Sequence, residues 1–206
     1  MKTKTIAFVG LMGALANILF IISYHVGPIV PGVSLDLSHI SIFVASIYGG
    51  PLTGLLTGVI GGILPGVYYG PLGSGGWLGL IGLPVGKALS GLTAGILSRS
   101  LWKQKSGKSL VIIPMVLASY VPECIFTIVY FVSLLPFFIG RGGTGLLAFV
   151  LPKAWAEIIF ISVFMAALAG NTGFNSFVNS FFLDQKSESG KEVERTMLRK
   201  KLPVSS

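Results

Sequence analysis

Four ionisable residues stand in otherwise apolar stretches: Lys87 in LPVGKALSG, Glu123 in SYVPECIF, and Lys153 with Glu157 in LPKAWAEII. A charge near the middle of a bilayer costs at least about 2.5–3.5 kcal/mol, so such residues turn toward a bundle interior or a watery cavity. Two bases and two acids form a balanced set. Lys153 and Glu157 are four apart and share one face of a helix, where they can pair or grip opposite ends of a bound molecule. A structural ion pair that merely locks helices together is the alternative.

Catalytic chemistry finds little support. SGKS at Ser106 to Ser109 resembles the end of a phosphate-binding loop, but the motif wants a glycine where this chain has Trp102, and a preceding strand. Any ATP used by this protein is therefore expected on another subunit. His25 and His39 flank the first outer loop with no H-E-x-x-H pair, and no serine sits in a G-x-S-x-G elbow. Both histidines read as interfacial side chains near the bundle edge, with the option of lining an outer pocket. The single cysteine, Cys124, allows neither a disulfide nor a cysteine-based metal site within one chain and reads as a small buried hydrophobe. No nucleophile, base and metal set converges. The expectation is a protein that is not an enzyme and needs no cofactor or metal.

The elements that must position these charges follow from composition. Of 206 residues, 52% are hydrophobic and 11% charged, against about 25% charged in a soluble domain. Apolar stretches approaching the length of a membrane span, about 20 residues, can be drawn at 5–25, 38–50, 51–66, 76–98, 109–138 and 145–170. The second and third are short and separated by Gly49-Gly50-Pro51, a tight turn with proline in the first turn of the next helix. One long kinked span, giving five crossings, is the alternative. Lys2 and Lys4, the loop cluster Arg99, Lys103, Lys105 and Lys108, and the tail cations from Lys186 to Lys201 all fall on one side if there are six crossings; Arg141 alone falls on the other. The positive-inside rule thus selects an all-α membrane protein, six transmembrane helices in a compact bundle, both termini cytoplasmic.

That placement also excludes a nucleic-acid reading of the formal charge of +8, because the cations flank spans rather than cover a face. The first apolar run is too long for an ordinary signal peptide and no A-x-A-like site follows it. Residues 1–172 read as a transmembrane substrate-binding domain and 173–206 as a polar cytoplasmic tail.

GGPLTGLLTGVIGGILPGVYYG repeats glycine every fourth residue from Gly50 to Gly70. Each interior glycine costs about 1 kcal/mol of helix propensity relative to alanine, and in lipid that cost is offset by close helix approach along small residues. Tyr68, Tyr69 and Trp77 gather on the outer side, either as an interfacial aromatic belt or as stacking surfaces for a flat ligand under the Gly- and Pro-rich loop between them. Trp155 is expected on a different side of its helix from Lys153. Asp36 opens the second helix, where capping alone would explain it.

VSLDLSHISIFVASIYGGPLTGLLTG resembles the D-L-S, apolar, G-P-x-x-G pattern of the substrate-binding S components of energy-coupling factor (ECF) transporters, with the likeness extending over about residues 1–172. The resemblance implies capture of a vitamin-like micronutrient from outside, with Asp36, Ser38, Tyr68 and Tyr69 in the binding region. The inferred set adds Trp77, Lys87, Glu123, Lys153 and Glu157 from aromatic and buried-charge placement. It also implies partners: a coupling transmembrane subunit and two ATPases, in the lipid bilayer of the cell membrane. Small residues four apart on the first helix dock the coupling subunit in that family, and Gly10 and Ala14 occupy that spacing here, where packing within the bundle would serve equally. Riboflavin, thiamine, biotin and folate binders are not told apart. A stand-alone ion-coupled transporter would centre on Glu123 or Glu157 and show broken-helix repeats; a scaffold would tolerate neutralisation of Lys153 and Glu157.

Overall fold

The computed structural model describes residues 3–26, 28–30, 33–73, 75–102, 109–140, 143–178 and 180. Arg141, Lys2, the loop cations Lys103, Lys105 and Lys108, and the tail from 181 lie outside them. The chain begins with α1 (Thr3–Val26), whose Ile6, Leu11, Ile18 and Ile22 are exposed as lipid-facing side chains would be, while Phe8, Val9, Gly13, Ala16 and Phe20 turn inward. A short antiparallel ribbon follows, β1 (Pro28–Val30) with β2 (Val33–Ser34). The all-α class stands, with this ribbon as a short addition in the connection after α1. Ile29, Val30 and Val33 are β-branched and favour extended chain over a helix.

Next come α2 (Ser38–Gly49), α3 (Pro51–Gly61), α4 (Ile63–Tyr69) and α5 (Gly76–Leu97). They are followed by α6 (Ile112–Val129), the short α7 (Leu135–Ile139) and α8 (Thr144–Gly170). The helix of α5 runs on as a wider, π-type turn over Ser98–Trp102, and a second such turn, Tyr130–Leu134, joins α6 to α7. Five helical segments among the described residues are long and apolar enough to cross a membrane: Thr3–Val26, Pro51–Tyr69, Gly76–Leu101, Ser109–Ile139 and Thr144–Gly170. At 12 residues α2 is shorter, about 18 Å at 1.5 Å per residue, below the roughly 30 Å of a hydrocarbon core. Nine of its residues are buried, because α1, α3, α5 and α8 pack around it. It forms the centre of the bundle.

The Gly49-Gly50-Pro51 turn is present. Gly50 takes φ 91°, the left-handed region that disfavours a side chain, Pro51 starts α3, and the Arg99 guanidinium lies against the glycine. Beyond it the glycine seam packs α3 and α4 on α5. A Cβ on Gly54 would meet the Gly91 carbonyl, on Gly58 the Lys87 carbonyl and Ala88, on Gly62 the backbone of Pro84, and on Gly66 the Gly79 carbonyl. Backbone meets backbone along the whole line, the close approach that small residues permit in lipid. The seam therefore fixes the backbone of Lys87.

The third span is not continuous. It breaks at Gly62, and Asn17 of α1 bridges the break: Nδ2 donates to the Ile60 carbonyl (2.9 Å) and Oδ1 accepts from the Leu64 N–H (3.1 Å). A side-chain amide thus supplies the partners that water would supply outside a membrane. Residues 172–178 form a helical turn tied back by the Tyr48 hydroxyl to Asn175, with Phe174 and Val178 against the core. The first residues assigned to the polar tail are therefore attached to the bundle.

Candidate functional site

Three helices deliver the intramembrane charges, and each carries an internal proline within three residues of its charge: Pro84 before Lys87, Pro122 before Glu123, and Pro152 before Lys153. Proline interrupts the local hydrogen-bond ladder, which membrane proteins tolerate where the backbone borders protein or a cavity. The fourth contribution is the strand-to-helix connection, whose Asp36 is buried against the other three.

These parts meet. Lys87 Nζ donates to Asp36 Oδ2 (2.6 Å) and to Ser38 Oγ (2.6 Å), and lies 3.4 Å from His39 Nδ1. His39 Nε2 is 2.9 Å from Glu123 Oε2, which also accepts from the Ser90 hydroxyl. On the other side the Asp36 N–H donates to Glu157 Oε1 (2.7 Å), and Glu157 Oε2 pairs with Lys153 Nζ (2.9 Å). The Ser38 N–H donates to Asp36 Oδ1 (3.0 Å), so the carboxylate takes up the first N–H of α2 from the preceding turn while holding Lys87. Six ionisable side chains from four parts of the chain form one connected network. Lys87 is 2% exposed and is the largest charged side chain in the core. Burial opposes charge on Asp36, but Lys87, with His39 and Lys153 adding to it, outweighs burial and holds the carboxyl well below the usual carboxylate range.

The network forms one wall of a cavity of about 380 Å³. Aromatic rings supply much of the rest: Tyr24, Tyr68, Tyr69, Phe126, Tyr130 and Phe131. Tyr24 and Tyr68 meet edge to face at 4.9 Å, and the Tyr69 hydroxyl reaches the Ser34 carbonyl at 3.4 Å, tying the ribbon to the end of α4. The Tyr130 hydroxyl is buried with no hydrogen-bond partner among the described residues.

Of the residues singled out in sequence, Asp36, Tyr68, Tyr69, Lys87, Glu123, Lys153 and Glu157 line this cavity, and Ser38 stands behind them on Lys87. Trp77 does not. It is half-exposed on the first turn of α5, against Phe138 at 5.7 Å. Trp155 turns to Tyr120, with ring centroids 5.4 Å apart. Gly10 and Ala14 lie on the exposed face of α1, and a Cβ on Gly10 would meet nothing within 4 Å, so the pair does not pack inside this bundle.

The two histidines part company. His25 is exposed at the end of α1, whereas His39 is buried at the junction of Lys87 and Glu123, not at the bundle edge. Ser90 and Tyr130 also escaped the sequence reading. Ser90 follows Lys87 by three and so shares its helix face, a signal that was present; Tyr130 carried none beyond lying about two turns past Glu123.

Among the described residues no group of His, Cys, Asp and Glu is arranged to hold a metal ion. The arrangement can instead grip a small molecule by charge, hydrogen bond and ring face. Neither the curated proteins nor the solved structures yield a match. A family model does match, that of the ECF transporter substrate-specific component, over residues 4–169. Family and apolar helices agree: the chain is a multi-pass membrane protein and belongs to the substrate-specific components of ECF transporters.

Proposed function

We propose that this chain captures a vitamin-like solute from the outer side of the cell membrane in the cavity bounded by Asp36, Lys87, Glu123, Lys153 and Glu157, and hands it inward when partner ATPases hydrolyse ATP. The observation that carries the reading is the connected charge network on the wall of a 380 Å³ aromatic cavity. A charge set that only locked helices together would be expected in a closed, dry seam, as the glycine seam is. Six crossings with both termini cytoplasmic fit this use, with α2 as the short central crossing. Helix direction supports the sidedness: Lys4 and Arg99 lie at the end of the bundle opposite Asp36 and Tyr69, which would open outward. Trp77 belongs on this reading to the interface rather than to the pocket.

Partner docking is assigned to the exposed small pair Gly10 and Ala14 on α1, where a coupling membrane subunit could approach closely. Gly10→Leu is expected to leave folding and solute binding intact, because nothing lies within 4 Å of the added Cβ. Recovery of the coupling subunit in a pull-down from detergent should fall about tenfold or more, the effect of about 1.4 kcal/mol at an interface. Retained recovery would move the docking face elsewhere. Capture itself is tested by co-expression with a coupling subunit and an ATPase pair in vesicles. ATP-dependent accumulation of the solute that co-purifies with the chain is expected, and accumulation without ATP partners, driven by a proton or sodium gradient, would overturn the reading.

A further inference from the structure

Resting on the capture reading, the charge inventory of the cavity narrows the class of solute. His39 Nδ1 faces the Lys87 ammonium at 3.4 Å, and an ammonium can only donate. That nitrogen is therefore the acceptor, and the proton sits on Nε2, which donates to Glu123 at 2.9 Å. With His39 neutral, two ammonium groups face three carboxylates, and the network carries one surplus negative charge.

Bond by bond, the surplus can be located. Both oxygens of Asp36 are engaged, by Ser38 N–H and by Lys87. Both oxygens of Glu157 are engaged too, by Asp36 N–H and by Lys153. Glu123 receives His39 and Ser90 on the same oxygen, Oε2, and its Oε1 has no hydrogen-bond partner among the described residues. The absence of a side chain on Gly86 leaves room beside that oxygen, which would lie 3.6 Å from a Cβ there. Phe126 stands beside it, Tyr130 lines the same cavity one turn further along, at the end of α6, and the Tyr130 hydroxyl is one of two buried side-chain polar atoms among the described residues without a partner, the other being Thr57 Oγ1.

We infer that the solute is a planar heteroaromatic cation that sets its positive ring or amino group against Glu123 Oε1, along the aromatic wall of Phe126 and Tyr130. Such a ligand cancels the surplus charge, which would otherwise stand uncompensated away from water. Ring faces add cation–π attraction where water is excluded, and the Tyr130 hydroxyl gains a partner. Lys153, with a single carboxylate partner among the described residues, keeps N–H donors for an acceptor at the other end of the solute.

The test uses three probes of one shape and different charge: 1-methylnicotinamide, nicotinamide and nicotinate, titrated calorimetrically into the full chain in nanodiscs. The cation is expected to bind at least about tenfold more tightly than its neutral analogue, and Glu123→Gln, which keeps the shape and removes the charge, should abolish that preference. Equal or tighter binding of the neutral or anionic probe overturns the ligand class, as does no saturable binding of any of the three. If the variant fails to fold, the order of preference in the unaltered chain decides. ATP-driven uptake with the partner subunits is read separately, so the ligand class can fail while capture stands.

Discussion

Replacing Lys87 by methionine is expected to destabilise the protein by about 3–5 kcal/mol, the cost of leaving a buried partner of an ion pair unpaired. Methionine fills most of the volume, so the effect measures charge rather than packing. Without the ammonium, Asp36 loses its ion pair, Ser38 its donor and His39 its acceptor contact. The Asp36 connection should then withdraw from the bundle, and solute binding should be lost with it. Adding Asp36→Asn to the same chain is expected to restore part of the stability and none of the binding. Thermal unfolding in detergent reads the first quantity and calorimetry the second. A Lys87→Met protein that unfolds like the parent would show that the network bears no weight in the fold.

Gly58→Val is the second large expectation. The added side chain would be driven into the Lys87 carbonyl and the backbone of Ala88, atoms that no rotamer change can move aside. Overpacking a well-filled core costs about 1–3 kcal/mol, and a clash with main chain should reach or exceed the upper end. The more specific consequence is geometric. Pushing α5 off α3 displaces Lys87 from Asp36, so solute affinity should fall even in whatever fraction folds. Gly10→Leu, on the free face of α1, serves as the control of similar chemistry. Equal behaviour of the two variants, read by detergent-resistant folding and solute binding, would deny the seam its positioning role.

How much of this could be seen in the sequence depended on range. The long spans followed from apolar length alone, and the α2 to α3 turn from Gly49-Gly50-Pro51, because both signals are local. The Lys153 and Glu157 pair was legible for the same reason, four residues apart on one helix. The break at Gly62 was not, since a glycine within a regular seam reads as helix and its bridging partner, Asn17, is far away in the chain. His39 was misplaced on similar grounds. Counting from the helix end puts it at the membrane edge, but Glu157 and Lys87 draw the Asp36 connection inward and take His39 down with it. Trp77 shows the opposite difficulty, since aromatic type and outer position are shared by pocket walls and interfacial belts, and in the structure its half-exposed ring stands against Phe138.

Substrate capture in this cavity is tested most directly by asking what the cavity holds. The chain would be purified gently, the protein denatured, the released small molecules identified by mass spectrometry, and the candidate titrated back into the parent chain and Glu157→Gln. The account predicts one vitamin-like molecule per chain, whose affinity falls about tenfold or more when the Glu157 charge that holds Lys153 and the Asp36 N–H is removed. No co-purifying molecule, no binding across a micronutrient panel, and proton- or sodium-driven flux through the isolated chain would together contradict it.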